Sequence, residues 1–493
     1  MTFRGLKFVI YGLSAFGGFI RLREQKMNSQ KQTLTRIDAL FHARSVAIVG
    51  LPRGMKTGKL FLMALLDQGF RGPIYPVNPG AGTIDGLKAY ARVTDIPGPV
   101  DLVIVLVPHH HTLAVVRDCA AKGVKGIVLF TSGYRETGTT EGARLQDKIL
   151  HTARAADIRI IGPNGMGLYC PKTGLSFFPQ LSRDPGPVGI ISHSGSLSNI
   201  LGIMAPEKAI RFSKVVSLGN ECDLSVADFL NYLGHDPETT VIGGYIEGIQ
   251  HGPAILAALK AASLIKPVIL WKIGLTAEGS RAASSHTGAL AGTKNIWEGM
   301  VNQGGAISVT GFEDFIDTLM GFSLLPQGLG RHMAILSGPG GLAVSAAEAC
   351  GNEGLALADM LPGTRSKMAE FVPATGTSLR NPIDVGLSAS LDISIYAKAA
   401  QSIASDPGVD AVIVIGIGLT NEANEEYFKA MVDVRKKSDK PFMIIKMPGF
   451  APELGRRFCE AGLPFFDSTE RAVATYARVW RYQRWQKKQM AAM

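Results

Sequence analysis

The sequence predicts an α/β protein built on parallel sheets, and three observations support this fold class. Apolar runs typical of strands, such as "SVAIVG" and "DLVIVLVP", alternate with helical segments of about 10–15 residues. Glycine or proline follows most of these runs, as tight turns require. The alternation recurs in three successive blocks. This pattern is typical of doubly wound sheets, in which ligands bind at the carboxyl ends of the strands.

The blocks predict three domains after an N-terminal extension. We expect the extension at 1–33 and the domains at 34–170, 171–325 and 330–493, with "PQG" at 326–328 as a linker. The apolar run of the extension, Phe8 to Ile20, is shorter than the about 20 residues that a membrane span needs. Either a targeting segment or a spurious start upstream of Met27 would explain the extension.

The composition is that of a soluble globular protein and selects no function by itself. The 493 residues are 46% hydrophobic and carry a formal charge of +10. This charge suits nucleic acid, a membrane surface or a phosphorylated cofactor equally well. The five cysteines lie far apart without a CxxC pair, which predicts free thiols in a reducing compartment. We therefore expect a cytoplasmic protein.

The loop after the first strand, "LPRGMKTGK" at 51–59, is a candidate anion site. It matches neither the Walker loop nor the GxGxxG fingerprint. What remains is a glycine-bearing turn into a helix N-terminus, whose free N–H groups favour an anion. Lys56 and Lys59 add positive charge there. An ordinary turn is the alternative.

The segment "ISHSGSLSN" at 191–199 is a second candidate for phosphate binding. A strand ends near Ser192 and a helix begins near Gly195, so Ser194 and Ser196 offer hydroxyls beside the positive end of a helix. A serine that merely caps the helix is the alternative. We interpret His193 as a turn residue.

His286 lies in "SRAASSHTGALAG" at 280–292, where its neighbours are small and uncharged. It has no local companions for a metal site. Glu247, in "YIEGIQ", ends a strand of the same block and could act with it as a base. A covalent phosphate carrier fits the surroundings, because a phosphorylated imidazole needs a small-sided, mobile loop and a carboxylate on its other nitrogen. A structural histidine remains the alternative.

Two further motifs favour ordinary structure. His109–His111 follow a strand directly and have no acidic or cysteine partner nearby, so we predict no metal site. The basic C-terminus, "ARVWRYQRWQKK", could contact nucleic acid, but a final amphipathic helix with a solvated face explains it better.

Taken in order, these motifs resemble a known family. The series "VAIVG", "YPVNP", "VDLVIVLVP", "GIVLFTSG", "IGPNG", "ISHSGSLSN", "SLGNECD", "YIEG" and "SRAASSHTGALAG" is similar to the alpha subunits of nucleoside-diphosphate-forming acyl-CoA synthetases, in the succinyl-CoA synthetase superfamily. The resemblance covers about 34–485. It implies a Rossmann-like CoA-binding domain followed by two flavodoxin-like ligase domains.

The resemblance also implies roles for residues. His286 would be the phosphohistidine, Glu247 its supporting carboxylate, and Ser194, Gly195 and Ser196 the turn that receives the phosphate. Coenzyme A would bind along the strand ends of the first block, at Gly50, Gly58, Lys59, Asn78, Pro79, Val107, Pro108, Ser132, Gly133, Pro163 and Asn164. Phosphate would pass between an acyl phosphate and the histidine, whose loop then reaches a Mg-ADP or Mg-ATP site.

Three positions depart from the family pattern, and one region is missing. Gly165 replaces a frequent cysteine, Gly80 replaces a lysine expected on a CoA phosphate, and His193 stands where glutamine or arginine is common. We find no ATP-grasp region, so the resemblance implies a separate beta subunit that binds ATP, in an α2β2-type assembly.

The predicted function is therefore an ADP-forming acid–thiol ligase acting on a small carboxylic acid. The runner-up is a non-catalytic regulator that binds CoA or acyl-CoA, although such a sensor needs neither His286 nor Glu247. A nucleic-acid-binding protein would depend on net charge alone. We expect neither nucleic acid nor membrane as a partner.

Overall fold

A computed structural model describes residues 28–287 and 293–492, and of 283–287 it describes only the backbone. Most of the predicted extension lies outside the described residues. Up to Tyr169 the elements are α1 (28–41), β1 (Val46–Val49), α2 (Lys59–Asp67), β2 (Ile74–Val77), β3 (Thr83–Ile84), β4 (Leu87–Lys88), β5 (Leu102–Val105), α3 (His109–Lys122), β6 (Gly126–Leu129), α4 (Thr140–Ala155), β7 (Arg159–Ile161) and β8 (Gly167–Tyr169).

The alternation continues through the second block. Its elements are β9 (Val188–Ser192), α5 (Gly195–Met204), β10 (Phe212–Ser217), α6 (Val226–His235), β11 (Val241–Ile246), α7 (Gly252–Ile265), β12 (Val268–Lys272), α8 (Ala277–Thr287), α9 (Lys294–Gly304), β13 (Ile307–Val309) and α10 (Phe312–Leu324).

The third block repeats the pattern and ends in a long helix. Its elements are β14 (His332–Ser337), α11 (Gly340–Asn352), β15 (Ala356–Leu357), α12 (Pro362–Ala369), β16 (Ile383–Asp384), α13 (Ser394–Ala404), β17 (Ala411–Ile415), α14 (Asn421–Lys436), β18 (Phe442–Ile445), α15 (Leu454–Glu460), β19 (Phe465–Phe466) and α16 (Thr469–Ala491). The predicted α/β class is confirmed.

The described residues cluster into two compact units. The first combines Met1–Tyr169, as far as it is described, with Thr173–Pro179 and Ser217–His235, and the second holds the rest. The first unit carries a parallel sheet in the order β2-β1-β5-β6-β7. Its strands β1, β5 and β6 are buried throughout, because helices cover both faces of a parallel sheet. That is why they are continuous apolar runs in the sequence.

The second unit carries two further parallel sheets. One runs in the order β13-β12-β11-β9-β10, and the other runs β15-β14-β17-β18-β19. The first of these sheets positions the second candidate site, because β9 and β11 are neighbours whose carboxyl ends reach the same edge. The three domain boundaries expected from the sequence stay a prediction.

The segment Ser217–His235 is part of the first unit, and the buried carboxylate of Asp223 bonds it to the rest of that unit. Asp223 accepts hydrogen bonds from the guanidinium nitrogens of Arg154 and Arg159 at 3.0 and 2.8 Å. It also accepts the backbone N–H of Ile160 at 3.0 Å. A buried charge is stable only when it is paired and hydrogen-bonded, and Asp223 is both. These bonds fasten the returning segment to β7.

Gly165 stands where the chain passes close to another backbone segment of the first unit. A Cβ atom at this position would lie 2.6 Å from the carbonyl oxygen of Ser217 and 3.1 Å from the N atom of Gly219. The neighbouring atoms belong to backbone and cannot rotate away. The cysteine frequent in the family would therefore not fit this arrangement.

The basic C-terminal segment forms α16, in which Arg471 and Arg478 form ion pairs within the second unit. Arg471 contacts Asp317 and Glu313, while Arg478 contacts Asp314. Tyr476 and Trp480 are buried on the same helix. These pairs neutralise charge that would otherwise suit a polyanion. Within the described residues, no helix combines the length and apolar character required to cross a membrane.

Lys214 is a buried cation in the second unit, with its side chain only 1% exposed. Its Nζ atom lies 2.9 Å from Asp236 and 2.7 Å from Glu238. Breaking a buried ion network leaves an uncompensated charge, which costs about 3–5 kcal/mol. An exposed pair contributes only about 0–1 kcal/mol.

We predict that Lys214→Met lowers the apparent free energy of unfolding by about 3–5 kcal/mol, because Asp236 loses its cation. Urea unfolding followed by circular dichroism measures the change. The control is Lys446→Met, which removes the exposed pair between Lys446 and Asp467 in the same unit. Equal unfolding midpoints for the two variants would contradict the prediction.

We also predict that Gly165→Ala destabilises the first unit by about 1–3 kcal/mol, since the added methyl group meets backbone atoms. The control is Gly54→Ala, because a Cβ atom at Gly54 would have no heavy atom within 4 Å. Calorimetric melting compares the two variants. If Gly165→Ala melted at the same temperature as the wild type, the prediction would be wrong, because the backbone would have moved to make room for the methyl group.

Candidate functional site

The first candidate site is the carboxyl edge of the sheet in the first unit. Val49 pairs in register with Val77 and with Val105, so the loops that follow β1, β2 and β5 begin side by side. Gly50 adopts φ of +85°, and a Cβ atom there would lie 2.8 Å from Val107. Only glycine therefore allows the first loop to pass so close to the third.

Asn78 joins the first two loops of this edge. Its Nδ2 atom donates to the carbonyl oxygen of Leu51 at 2.9 Å, and its Oδ1 atom accepts the N–H of Gly80 at 3.0 Å. Pro79, between them, is exposed. Asn78 thus fixes the turn at 78–80 against the loop at 51–58.

Two cations of the first loop differ in how they are placed. Lys59 is 5% exposed, and its Nζ atom lies 2.7 Å from Asp85 in the turn between β3 and β4. Its charge is therefore already paired. Arg53 is exposed, and its Nη2 atom lies 3.6 Å from the point where a Cβ atom of Gly80 would stand.

The remaining strand ends of this edge are linked by hydrogen bonds. The hydroxyl of Thr131 donates to the carbonyl oxygen of Val107 at 2.6 Å. The carbonyl oxygen of Thr131 accepts the N–H of Asn164 at 3.1 Å. Gly133 donates its N–H to Glu136 at 2.6 Å. The predicted residues at these ends thus share one edge with Pro108 and Ser132, which are exposed. Their contact with CoA stays a prediction.

The second candidate site is the carboxyl edge of β9 and β11 in the second unit. Ser194 caps α5, and its Oγ atom accepts the N–H of Leu197 at 3.3 Å. Ser194 thus caps the helix, as the alternative interpretation expected, and its contact with phosphate stays a prediction. The hydroxyl of Ser196 lies 3.3 Å from that of Ser194 and is exposed. The first turn of a helix leaves N–H groups without partners inside the helix, so Gly195 and Ser196 can still present them to an anion.

Glu247 follows β11 and lies beside this turn. The Nδ1 atom of His193 accepts the backbone N–H of Glu247 at 3.0 Å, which ties the two strand ends together. His193 is therefore a buried contact of the site and not simply a turn residue. The bond also requires that Nδ1 be unprotonated.

The carboxylate of Glu247 is buried in polar surroundings. Glu247 is 4% exposed, and its Oε2 atom has no hydrogen-bond partner among the described residues. Burial, followed by the charge of Glu247, raises the pKa of Tyr245 well above its usual value. A buried carboxylate oxygen without a donor is costly, and a donor such as a histidine ring N–H would satisfy it. This observation fits the predicted role of Glu247.

The position of His286 is described only through its backbone. Helix α8 extends to Thr287, so the predicted loop is helical up to this point. The His286 side chain and 288–292 lie outside the described residues. His109–His111 form the first turn of α3. In the described part of the chain, no three His, Cys, Asp or Glu side chains are grouped so that they could hold a metal ion.

Sequence reasoning missed two residues of these edges. Lys272, the last residue of β12, is buried and donates to the carbonyl oxygen of Glu247 at 2.9 Å. A lysine that ends an apolar strand, "PVILWK", was the available signal. Arg53 was missed because its approach to Gly80 depends on the fold of both loops.

Two family models match the parts of the chain that carry the two candidate sites. A model described as a CoA binding domain matches 44–171, and one described as the succinyl-CoA ligase like flavodoxin domain matches 185–322. The alpha subunit of acetate–CoA ligase (ADP-forming) II from Pyrococcus furiosus is 33% identical, with 90% of this chain and 97% of the relative covered.

Longer relatives and a solved structure extend the comparison. Acetate–CoA ligase (ADP-forming) I from Archaeoglobus fulgidus is 33% identical over 91% of this chain, which spans 64% of that relative's length. The dinucleotide forming acetyl-coenzyme A synthetase 1 of Ca. Korarchaeum cryptofilum, in complex with phosphate and ADP, matches with a TM-score of 0.82 and 30% identity, covering 93% of this chain and 99% of that chain. The chain belongs to the family of alpha subunits of ADP-forming acyl-CoA synthetases, within the succinyl-CoA synthetase superfamily.

Proposed function

We propose that this chain is the CoA-binding, phosphohistidine-bearing subunit of an acid–CoA ligase. The reaction would interconvert acid, CoA and ATP with acyl-CoA, ADP and phosphate. The observation that supports it best is the buried carboxylate of Glu247 beside the N-terminus of α5, in a chain related to ligase subunits over nine tenths of its length. A non-catalytic regulator, the runner-up, finds no support in these relatives.

In this proposal, His286 carries the phosphoryl group covalently. Glu247 accepts the N–H of one ring nitrogen, which leaves the lone pair of the other nitrogen free to bond phosphorus. The N–H groups of Gly195 and Ser196 then stabilise the negative phosphoryl oxygens. The phosphoryl group passes to a carboxylate oxygen of the acid, and the CoA sulfur displaces phosphate from the resulting acyl phosphate.

The carboxyl edge of the first unit suits the anionic part of CoA. Arg53 places an exposed guanidinium beside Gly80, at the turn at 78–80. A guanidinium binds phosphate in bidentate geometry. We propose that Arg53 supplies the positive charge that a lysine at position 80 would otherwise bring to the CoA phosphate. Lys59 instead holds the loop in place through its ion pair with Asp85.

We propose a separate ATP-grasp beta subunit as partner, in an α2β2-type assembly that holds Mg-ADP or Mg-ATP. Relatives named as alpha subunits match this chain over nearly their whole length, whereas a single-chain relative extends further. The substrate would be a small carboxylic acid. Five cysteines without disulfides fit a reducing, cytoplasmic location.

We predict that His286→Asn abolishes transfer of the labelled γ-phosphoryl group from ATP to this chain, because no imidazole remains to accept it. The assay uses the complex purified through a tag on this chain and counts acid-labile label. The control is His251→Asn, since His251 is an exposed histidine of the same unit. Labelling of the His286→Asn chain would contradict the assignment.

We predict that Arg53→Gln weakens CoA binding by about tenfold, which corresponds to about 1.4 kcal/mol for a lost charged contact. Isothermal titration measures the affinity. Arg71→Gln is the control, because Arg71 is exposed at the opposite, amino edge of the same sheet. Adding Gly80→Lys to Arg53→Gln should restore binding. Unchanged affinity in Arg53→Gln would remove Arg53 from the site.

A further inference from the structure

Lys272 is a buried cation that the proposed chemistry does not yet use. It is 6% exposed and ends β12, where apolar residues precede it. Its ammonium group donates to the carbonyl oxygen of Glu247 at 2.9 Å and also to that of Ile273. A buried ammonium is costly unless its protons are hydrogen-bonded, so these bonds determine where the group can lie.

The two carbonyl oxygens belong to neighbouring strand ends. Ile246 and Lys272 are paired in the register of β11 and β12, and Glu247 and Ile273 are the residues that follow. Ile273 donates its N–H to Ile246 at 3.2 Å, which reinforces the same junction. One of these ends presents Glu247. The other leads to α8, whose last turn contains the position of His286.

The electrostatic surroundings give Lys272 a second link to Glu247. Burial lowers the pKa of Lys272, and the negative charge of Glu247 partly offsets this effect. The ring of His193 accepts the backbone N–H of Glu247, and the phenol of Tyr245 interacts with the Glu247 carboxylate. Neither brings a permanent positive charge. Lys272 is thus the cation of this cluster within the described residues.

We propose that Lys272 is a positioning residue for phosphoryl transfer. It fixes the strand end that carries Glu247 relative to the strand end at Ile273, from which the chain leads to α8 and His286. The inference rests on the proposed function of His286. A displacement of about 1 Å in a catalytic group can cost about 100-fold in rate. A side chain without a hydrogen-bond donor at 272, such as methionine, would release both carbonyl oxygens and allow such a displacement.

A purely structural lysine would behave differently, and the chain provides the comparison. Lys266 lies two residues before β12, at its opposite, amino end, and donates to the carbonyl oxygen of Asp236. Burial lowers its pKa as well. Lys266 therefore matches Lys272 in residue type and kind of contact, but it lies near the opposite end of β12, away from Glu247.

The experiment measures the initial rate of His286 phosphorylation by γ-labelled ATP in the complex purified through a tag on this chain. We expect Lys272→Met to lower this rate by about 100-fold while the affinity for CoA stays unchanged. Lys266→Met should keep the rate within about twofold of the wild type, even where both variants melt at the same lowered temperature. A normal rate in Lys272→Met, or an equal loss in Lys266→Met, would overturn the proposal.

A second variant keeps the test decisive if Lys272→Met does not fold. Because its pKa is lowered, wild-type Lys272 loses its proton, and with it the charge, at a pH below the usual lysine value. The neutral amine is a weaker donor to the two carbonyl oxygens, so the phosphorylation rate should fall there as the pH rises. Lys272→Arg stays charged over this range, so the fall of its phosphorylation rate at alkaline pH should begin at a higher pH than in the wild type. If the phosphorylation rates of the wild type and Lys272→Arg fell at the same pH, the proposal would be rejected. A wild-type complex in which this chain is never phosphorylated would reject the proposed function itself.

Discussion

The alignment of parallel strands at one sheet edge is the constraint on which both candidate sites depend. Strands that pair in register end together, so loops far apart in sequence begin as neighbours. In the first unit this places Gly50, Asn78 and Val107 side by side. In the second unit it brings Ser194 next to Glu247 through His193. Neither arrangement needs a long-range feature other than the sheet itself.

Features set by local pattern were predictable from the sequence. The continuous apolar runs indicated the strands of parallel sheets. For Ser194, a helix cap was the alternative to phosphate binding, and the structure shows that cap. The fold class and the family followed from such segments taken in order. The roles of His286 and the CoA-contacting residues remain predictions, because they depend on ligands and on a side chain outside the described residues.

Side-chain pairs between distant segments could not be predicted. Nothing in the sequence indicates that Asp85 pairs with Lys59, or that Lys272 bonds to the carbonyl oxygen of Glu247. Such pairs depend on register and on the course of loops. The departures from the family pattern behave in the same way: Gly165 reflects a close backbone approach, and Gly80 lies beside Arg53. In both cases the residue that lies next to the glycine is distant in sequence, so the contact cannot be predicted without the fold.

The return of Ser217–His235 to the first unit has a consequence for how this molecule can be divided. The chain completes the first unit only after building part of the second. A fragment cut near 171 would lack Asp223, leaving two arginines and the N–H of Ile160 without their acceptor. Recombination of gene segments would meet the same obstacle, since no single cut separates the halves. A fragment that keeps the first unit intact must therefore extend at least to His235.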